Sequence, residues 1–172
     1  MRSIALFIAV ILLIGAFVVS AQESKVDFSG EWIINADKSD LGSDRGGRRG
    51  RGMAAFKMVV EQKDNKLVVE TFRKNRDDEE VSTKLTYTLD GKKCKNDLNF
   101  GSQESVLKWS KDGKTLIIES TRTMSRGDRE FTMESTEKWS LDKDTLTIES
   151  TRSTPRGERT SKVVYDKKKK EK

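Results

Sequence analysis

The feature that most constrains this chain is a near-repeat at a spacing of 30 residues between Lys108 and Arg159. Trp109-Ser110 returns as Trp139-Ser140, and Leu116-x-Ile118-Glu119-Ser120-Thr121-Arg122 returns as Leu146-x-Ile148-Glu149-Ser150-Thr151-Arg152. Arg126-Gly127-Asp128-Arg129 returns as Arg156-Gly157-Glu158-Arg159, and a looser copy lies upstream at Leu67-Val68-Val69-Glu70-Thr71-Phe72-Arg73. Such repetition means one supersecondary unit used several times. Apolar residues alternate with polar ones inside each copy, and Asp-Gly or Asp-Asn pairs separate the runs, so the unit reads as a β-hairpin.

The same alternation extends over most of the chain. It runs through Phe56, Met58 and Val60; through Val81, Thr83, Leu85, Tyr87 and Leu89; and through Phe131, Met133, Ser135, Glu137, Trp139 and Leu141. One proline, Pro155, is present, and no helical period follows residue 21. The expectation is an all-β, antiparallel up-and-down meander of about eight to ten strands. Closure into a barrel buries its apolar face and removes exposed edges.

The ends of the chain read differently. Arg2 precedes an apolar run from Ile4 to Val19 that closes on Val19-Ser20-Ala21, so residues 1–21 are expected to be a signal peptide, with cleavage after Ala21. An uncleaved anchor is the alternative, and it is the one route by which this chain would hold a membrane. Residues 22–166 form the expected barrel domain, 41–53 a flexible Gly/Arg loop, and 167–172 a disordered Lys-rich tail. Export places the protein in the periplasm or outside the cell. Cys94 is the single cysteine and histidine is absent, so there is no internal disulfide and no Cys/His metal site.

Gly30-x-Trp32 near the start of such a chain resembles the opening motif of the lipocalin and calycin group. More specifically, Gly30-Glu31-Trp32-Ile33-Ile34-Asn35-Ala36-Asp37-Lys38-Ser39, Ser110-Lys111-Asp112-Gly113-Lys114-Thr115-Leu116 and Val164-Tyr165-Asp166-Lys167 resemble bacterial exported lipocalin-like proteins, which are mostly uncharacterised. The resemblance implies a lipocalin-like barrel in which Trp32 closes one end. It also implies interior arginines that meet a ligand carboxylate.

In a meander, alternate turns fall at opposite ends of the barrel. The turns at 63–66, 90–93, 111–114 and 142–144 are short and built from Lys and Asp. Those at 41–52, 73–80, 122–129 and 152–159 hold every arginine beyond residue 21. Arginine offers a planar fork of donors suited to carboxylate or phosphate. Strand period puts Arg73, Arg122 and Arg152 on the inward face together with Glu137, and these four with Trp32 are the candidate ligand-binding residues. Two alternatives stand beside that reading: the arginines pair with acidic neighbours in their own loops, or a bulge turns them outward. Arg45, Arg48, Arg49 and Arg51 form a candidate anion-contact loop.

The absence of histidine, of a cysteine pair and of Gly-x-Ser-x-Gly points away from an enzyme, and no cofactor is called for. The expected function is an exported binding module for a small apolar or amphipathic anionic ligand, held in or at the mouth of the barrel. Its rival is an envelope interaction protein whose Arg-rich end binds an anionic polymer or lipid head group. Nucleic acid is disfavoured, because the Gly/Arg loop carries no aromatic residue for stacking.

Overall fold

The computed structural model describes residues 25–41, 54–99, 101–126, 129–154 and 157–169, the side chains of Arg126 and Thr154 excepted. The expected signal peptide, most of the Gly/Arg loop and residues 170–172 lie outside them. Ten strands follow in order: β1 (Gly30–Ile34), β2 (Lys57–Lys63), β3 (Lys66–Lys74), β4 (Glu80–Thr88), β5 (Lys93–Leu98), β6 (Gly101–Trp109), β7 (Thr115–Arg126), β8 (Arg129–Asp142), β9 (Thr145–Thr154) and β10 (Gly157–Lys167). All belong to one antiparallel sheet, ordered β4-β3-β2-β1-β10-β9-β8-β7-β6-β5.

The chain is therefore a meander in which the first strand also pairs with the last. Ile33 lies opposite Asp166 and Ile34 opposite Tyr165, and this β1–β10 ladder brings the sheet round into a nearly closed barrel. The tight turns follow the polar pairs: Asp64 and Lys143 adopt φ of 53°, and Gly113 adopts 67°. The repeat is structural as well, since Leu116 and Ile118 on β7 pair with Trp139 and Glu137 on β8, and Trp139 with Ile148 on β9.

One seam departs from the expected hairpin series. No backbone ladder joins β4 to β5, although Asp90-Gly91 turns the chain between them. The side-chain amide of Asn96 bridges the two strands instead: its Oδ1 accepts from the Thr86 N–H at 2.8 Å, and its Nδ2 donates to the Thr86 carbonyl at 3.0 Å. β5 alternates Lys, Asn and Asp with only Cys94 and Leu98 as apolar residues, so little burial draws its backbone onto β4.

The end carrying the short turns is plugged. Residues 25–29 cross it, with the Val26 N–H donating to Gly113 and Gln62 Nε2 donating to the Val26 carbonyl at 3.0 Å. Phe28 stacks on Trp109 with centroids 5.9 Å apart and meets Trp139 edge-on at the same distance. Trp32 Nε1 donates to the Phe28 carbonyl at 3.0 Å. Above this plug lies an apolar core: Leu67, Leu107, Leu116 and Leu146 have no exposed surface, and Met58, Val60, Val69 and Ile118 have almost none.

Lys167 and Lys168, expected in the tail, belong to the fold. Lys167 closes β10, paired with Trp32, and its Nζ sits 5.2 Å from the centroid of the Trp32 ring. Lys168 continues the contact by donating its N–H to the Glu31 carbonyl and its Nζ to the Glu31 carboxylate at 3.0 Å.

Candidate anion site at the barrel mouth

From the plug to the opposite end, the inward faces change character in bands. β7 runs Leu116, Ile118, Ser120, Arg122, Met124, and β9 runs Leu146, Ile148, Ser150, Arg152. On β6 the order is Trp109, Leu107, Ser105, Gln103, and on β8 it is Trp139, Glu137, Ser135, Met133, Phe131. On β3 it is Leu67, Val69, Thr71, Arg73. An apolar floor thus gives way to a polar belt, then to arginines, and on β7 and β8 to methionine and phenylalanine at the rim. Every arginine among the described residues lies in the mouth half, as the order of turns requires.

The belt is wired. Ser105 and Ser120 share a hydrogen bond at 2.8 Å, and Gln103 Nε2 donates to Ser105 Oγ at 3.2 Å. Gln103 Nε2 also lies 3.4 Å from both Tyr87 Oη and Ser120 Oγ. Gln103 Oε1 accepts from Arg122, at 2.8 Å from Nη2 and 3.3 Å from Nε. Glu137 Oε2 accepts from Trp139 Nε1 at 3.0 Å, and Tyr165 Oη donates to the Ala55 carbonyl at 3.1 Å.

Arg73 is coupled electrostatically to its neighbours at this end. Its pKa is lowered, first by burial and then by the like charges of Arg122 and Arg152, while Tyr165 and Glu137 act in the opposite sense. Arg73, Arg122, Arg152, Glu137 and Tyr165 therefore share one electrostatic basin. Three guanidinium groups and one carboxylate share this partly desolvated space, where a charge-assisted contact is worth more than at an open surface.

Of the residues picked from the sequence, Arg73, Arg122, Arg152 and Glu137 come together, and alternation carries the three arginines inward. Trp32 does not join them: it is fully buried at the plugged end, with its indole N–H already spent on Phe28. Arg45, Arg48, Arg49 and Arg51 lie outside the described residues. Phe131, which opens the alternating face of Met133, Ser135 and Glu137, is 49% exposed at the rim. Sequence reasoning passed over Gln103, Tyr87, Ser105 and Tyr165 as site residues. The available signal was a pair of polar residues, Gln103 and Ser105, in inward phase with Leu107 and Trp109.

A separate depression of about 420 Å³ lies on the outer surface of β5–β10. Glu104, Glu119, Glu134 and Glu158 line it with Lys93 and outward threonines. Lys93 is ion-paired to Glu104 at 3.0 Å, and Lys108 to Glu119 at 2.7 Å. Among the described residues no group of three His, Cys, Asp or Glu side chains is placed to hold a metal ion. This acidic outer face and the arginine basin are on opposite sides of the sheet.

No protein-family model matches the chain, and no curated protein matches it. A solved structure does: the zebrafish ileal bile acid-binding protein complexed with cholic acid, at 12% identity and a TM-score of 0.51. The match covers 82% of this chain and 98% of that one. What the two share is the fold, a calycin-type barrel of antiparallel strands.

Proposed function

We propose that this chain is an exported, non-enzymatic binding barrel that holds a small amphipathic anion at its mouth, with the anionic group turned inward. The observation that carries the reading is the convergence of Arg73, Arg122 and Arg152 on one basin above a filled floor. The similar barrel from zebrafish was solved with cholic acid, an amphipathic acid, which agrees with a ligand of this class. Because the lower half holds the apolar core, the acid does not run down the barrel axis. Its charged end meets the arginines, and its apolar part lies against Met124, Met133 and the exposed ring of Phe131 at the rim. Export rests on the sequence of residues 1–21 and predicts a mature chain beginning at Gln22.

Calorimetric titration with decanoate and decanol, which share a chain and differ in charge, tests this reading. Decanoate is expected to bind and decanol to bind at least about tenfold more weakly, because a charge-assisted contact to arginine contributes roughly 1.5–3 kcal/mol. The double variant R122A/R152A should bring decanoate down to the level of decanol. Equal binding of acid and alcohol by the wild-type chain would overturn the reading.

A further inference from the structure

The β9–β10 ladder sets two arginines against each other at the mouth. Arg159 on β10 lies directly opposite Arg152 on β9, so the two share the inward face, where the Cβ atoms of such a pair stand about 5 Å apart. Among the described residues the ladder register puts no carboxylate at this level: Ser135 is opposite Arg152 on β8, and Glu137 is one step further in, opposite Ser150. On its other side Arg159 lies beyond the β1 ladder, which takes only Tyr165 to Lys167, and beyond the bridge between Asp40 and Lys162. Arg159 is exposed and Arg152 half-buried, so both can be reached by a ligand arriving from the mouth.

Like charges directly opposite in a ladder are unfavourable by themselves, and an anion between them replaces the repulsion by two attractions. The shape of the anion matters. A carboxylate has one fork of two oxygens, which a single guanidinium fills in a bidentate pair. A phosphomonoester has three terminal oxygens and a charge of about −1.5 to −2 at pH 7, enough to take a guanidinium group from each strand.

We infer that the Arg152–Arg159 pair is a clamp for a phosphomonoester head group, so that the amphipathic anion of this barrel is a phosphate ester of an apolar body. The phosphate lies between the two guanidinium groups. The apolar part runs outward past Met133 to Phe131, which follow Ser135 towards the rim on the same face of β8. This inference rests on the anion-binding reading and adds the chemistry of the head group.

The test titrates decyl phosphate, decanoate and inorganic phosphate into the mature chain and into R159A and R159K. Wild-type protein should bind decyl phosphate about tenfold more tightly than decanoate, the worth of one further charge-assisted contact. Inorganic phosphate, which has the head group alone, should bind more weakly than decyl phosphate. R159A should lose at least about fivefold of the preference for the phosphate ester, and R159K, which keeps the charge but not the fork, should restore only part of it. Decyl phosphate should also raise the thermal midpoint of wild-type protein more than that of R159A, a difference that a purely structural arginine would not produce. If wild-type protein binds neither decanoate nor decyl phosphate, the anion-binding reading itself fails. If it binds the two alike, if inorganic phosphate binds as tightly as decyl phosphate, or if R159A keeps the full preference, that reading stands and the phosphate clamp is overturned. Should R159A fail to fold, the wild-type ratios decide.

Discussion

Arg122 is held in place by Gln103, whose Oε1 accepts from both Nη2 and Nε of the guanidinium at 2.8 and 3.3 Å. The same amide donates into the belt through Nε2, so one side chain orients the charged group and satisfies the hydroxyls below it. Q103L should then do two things at once. It should lower stability by about 1–3 kcal/mol, the cost of leaving buried polar partners unpaired. It should also weaken decanoate binding, since Arg122 loses its anchor while keeping its charge. Chemical denaturation and calorimetry on the one variant separate the two effects. Unchanged affinity would show that Gln103 serves the fold alone.

Both tyrosines of the chain titrate abnormally, which gives an optical test of the packed interior. Burial is the main cause in each: Tyr165 is pushed up to about 12, and Tyr87 is raised as well. For Tyr165 the charge of Arg73 acts against that rise and Glu137 adds to it. At pH 11 an ordinary tyrosine is about 90% ionised, since its pKa is ~10. The native protein should therefore show little tyrosinate absorbance at 295 nm, and unfolding at that pH should release it. The sign for stability follows. Between pH ~10 and 12 the unfolded chain gives up protons that the folded chain keeps, so stability falls by about 1.4 kcal/mol per pH unit for each tyrosine. It is fully present below pH ~10. Y165F should halve the absorbance step on unfolding, and a native chain titrating like the unfolded one would contradict the buried placement.

Much of this arrangement was legible in the residues. Leu116, Ile118 and Arg122 recur as Leu146, Ile148 and Arg152, and a strand period of two places each set on one face, so hairpins, floor and inward arginines followed from spacing. Polarity of the ends followed from counting turns. What escaped was set by distant partners. Trp32 reads as a barrel residue either way, but its separation from the arginines depends on Phe28, 4 residues away in sequence and folded back over the plug. Lys167 looks like the start of a solvated lysine run, and only the β1–β10 ladder shows that its stem packs over Trp32. Ser150 and Ser120 are equivalent in the repeat, yet Ser120 bonds Ser105 while Ser150 lies between Glu137 and Ser161 without such a bond, so local pattern could not tell the two positions apart.

Gly101 is a position where the fold tolerates no side chain. Its φ is +140°, and a Cβ built there would stand 1.9 Å from the Thr123 carbonyl oxygen across the β6–β7 ladder. G101A should cost at least about 2–3 kcal/mol through backbone strain together with the clash. The loss should appear as a lower thermal midpoint. G157A is the control, because no atom of the described residues lies within 4 Å of its Cβ position, so the conformational penalty at φ +102° dominates. G101A melting with or above G157A would place the ladder differently.

The seam between β4 and β5 is joined by a side chain where every other pair of adjacent strands is joined by backbone. Asn96 supplies a donor and an acceptor with the geometry of a peptide group, and Thr86 takes both. N96A removes both bonds and should cost about 1–2 kcal/mol, with faster hydrogen exchange at the Thr86 amide. The Val69 amide, within the β2–β3–β4 ladders, serves as the reference. N96D separates the two bonds. Its carboxylate still accepts from the Thr86 N–H, but above pH ~4 it sets an anion against the Thr86 carbonyl. N96D should accordingly be less stable than N96A at pH 7 and recover as the pH falls through the carboxylate range, where the protonated acid donates again. Exchange at Thr86 that is the same in all three proteins would mean that the amide of Asn96 does not hold the seam.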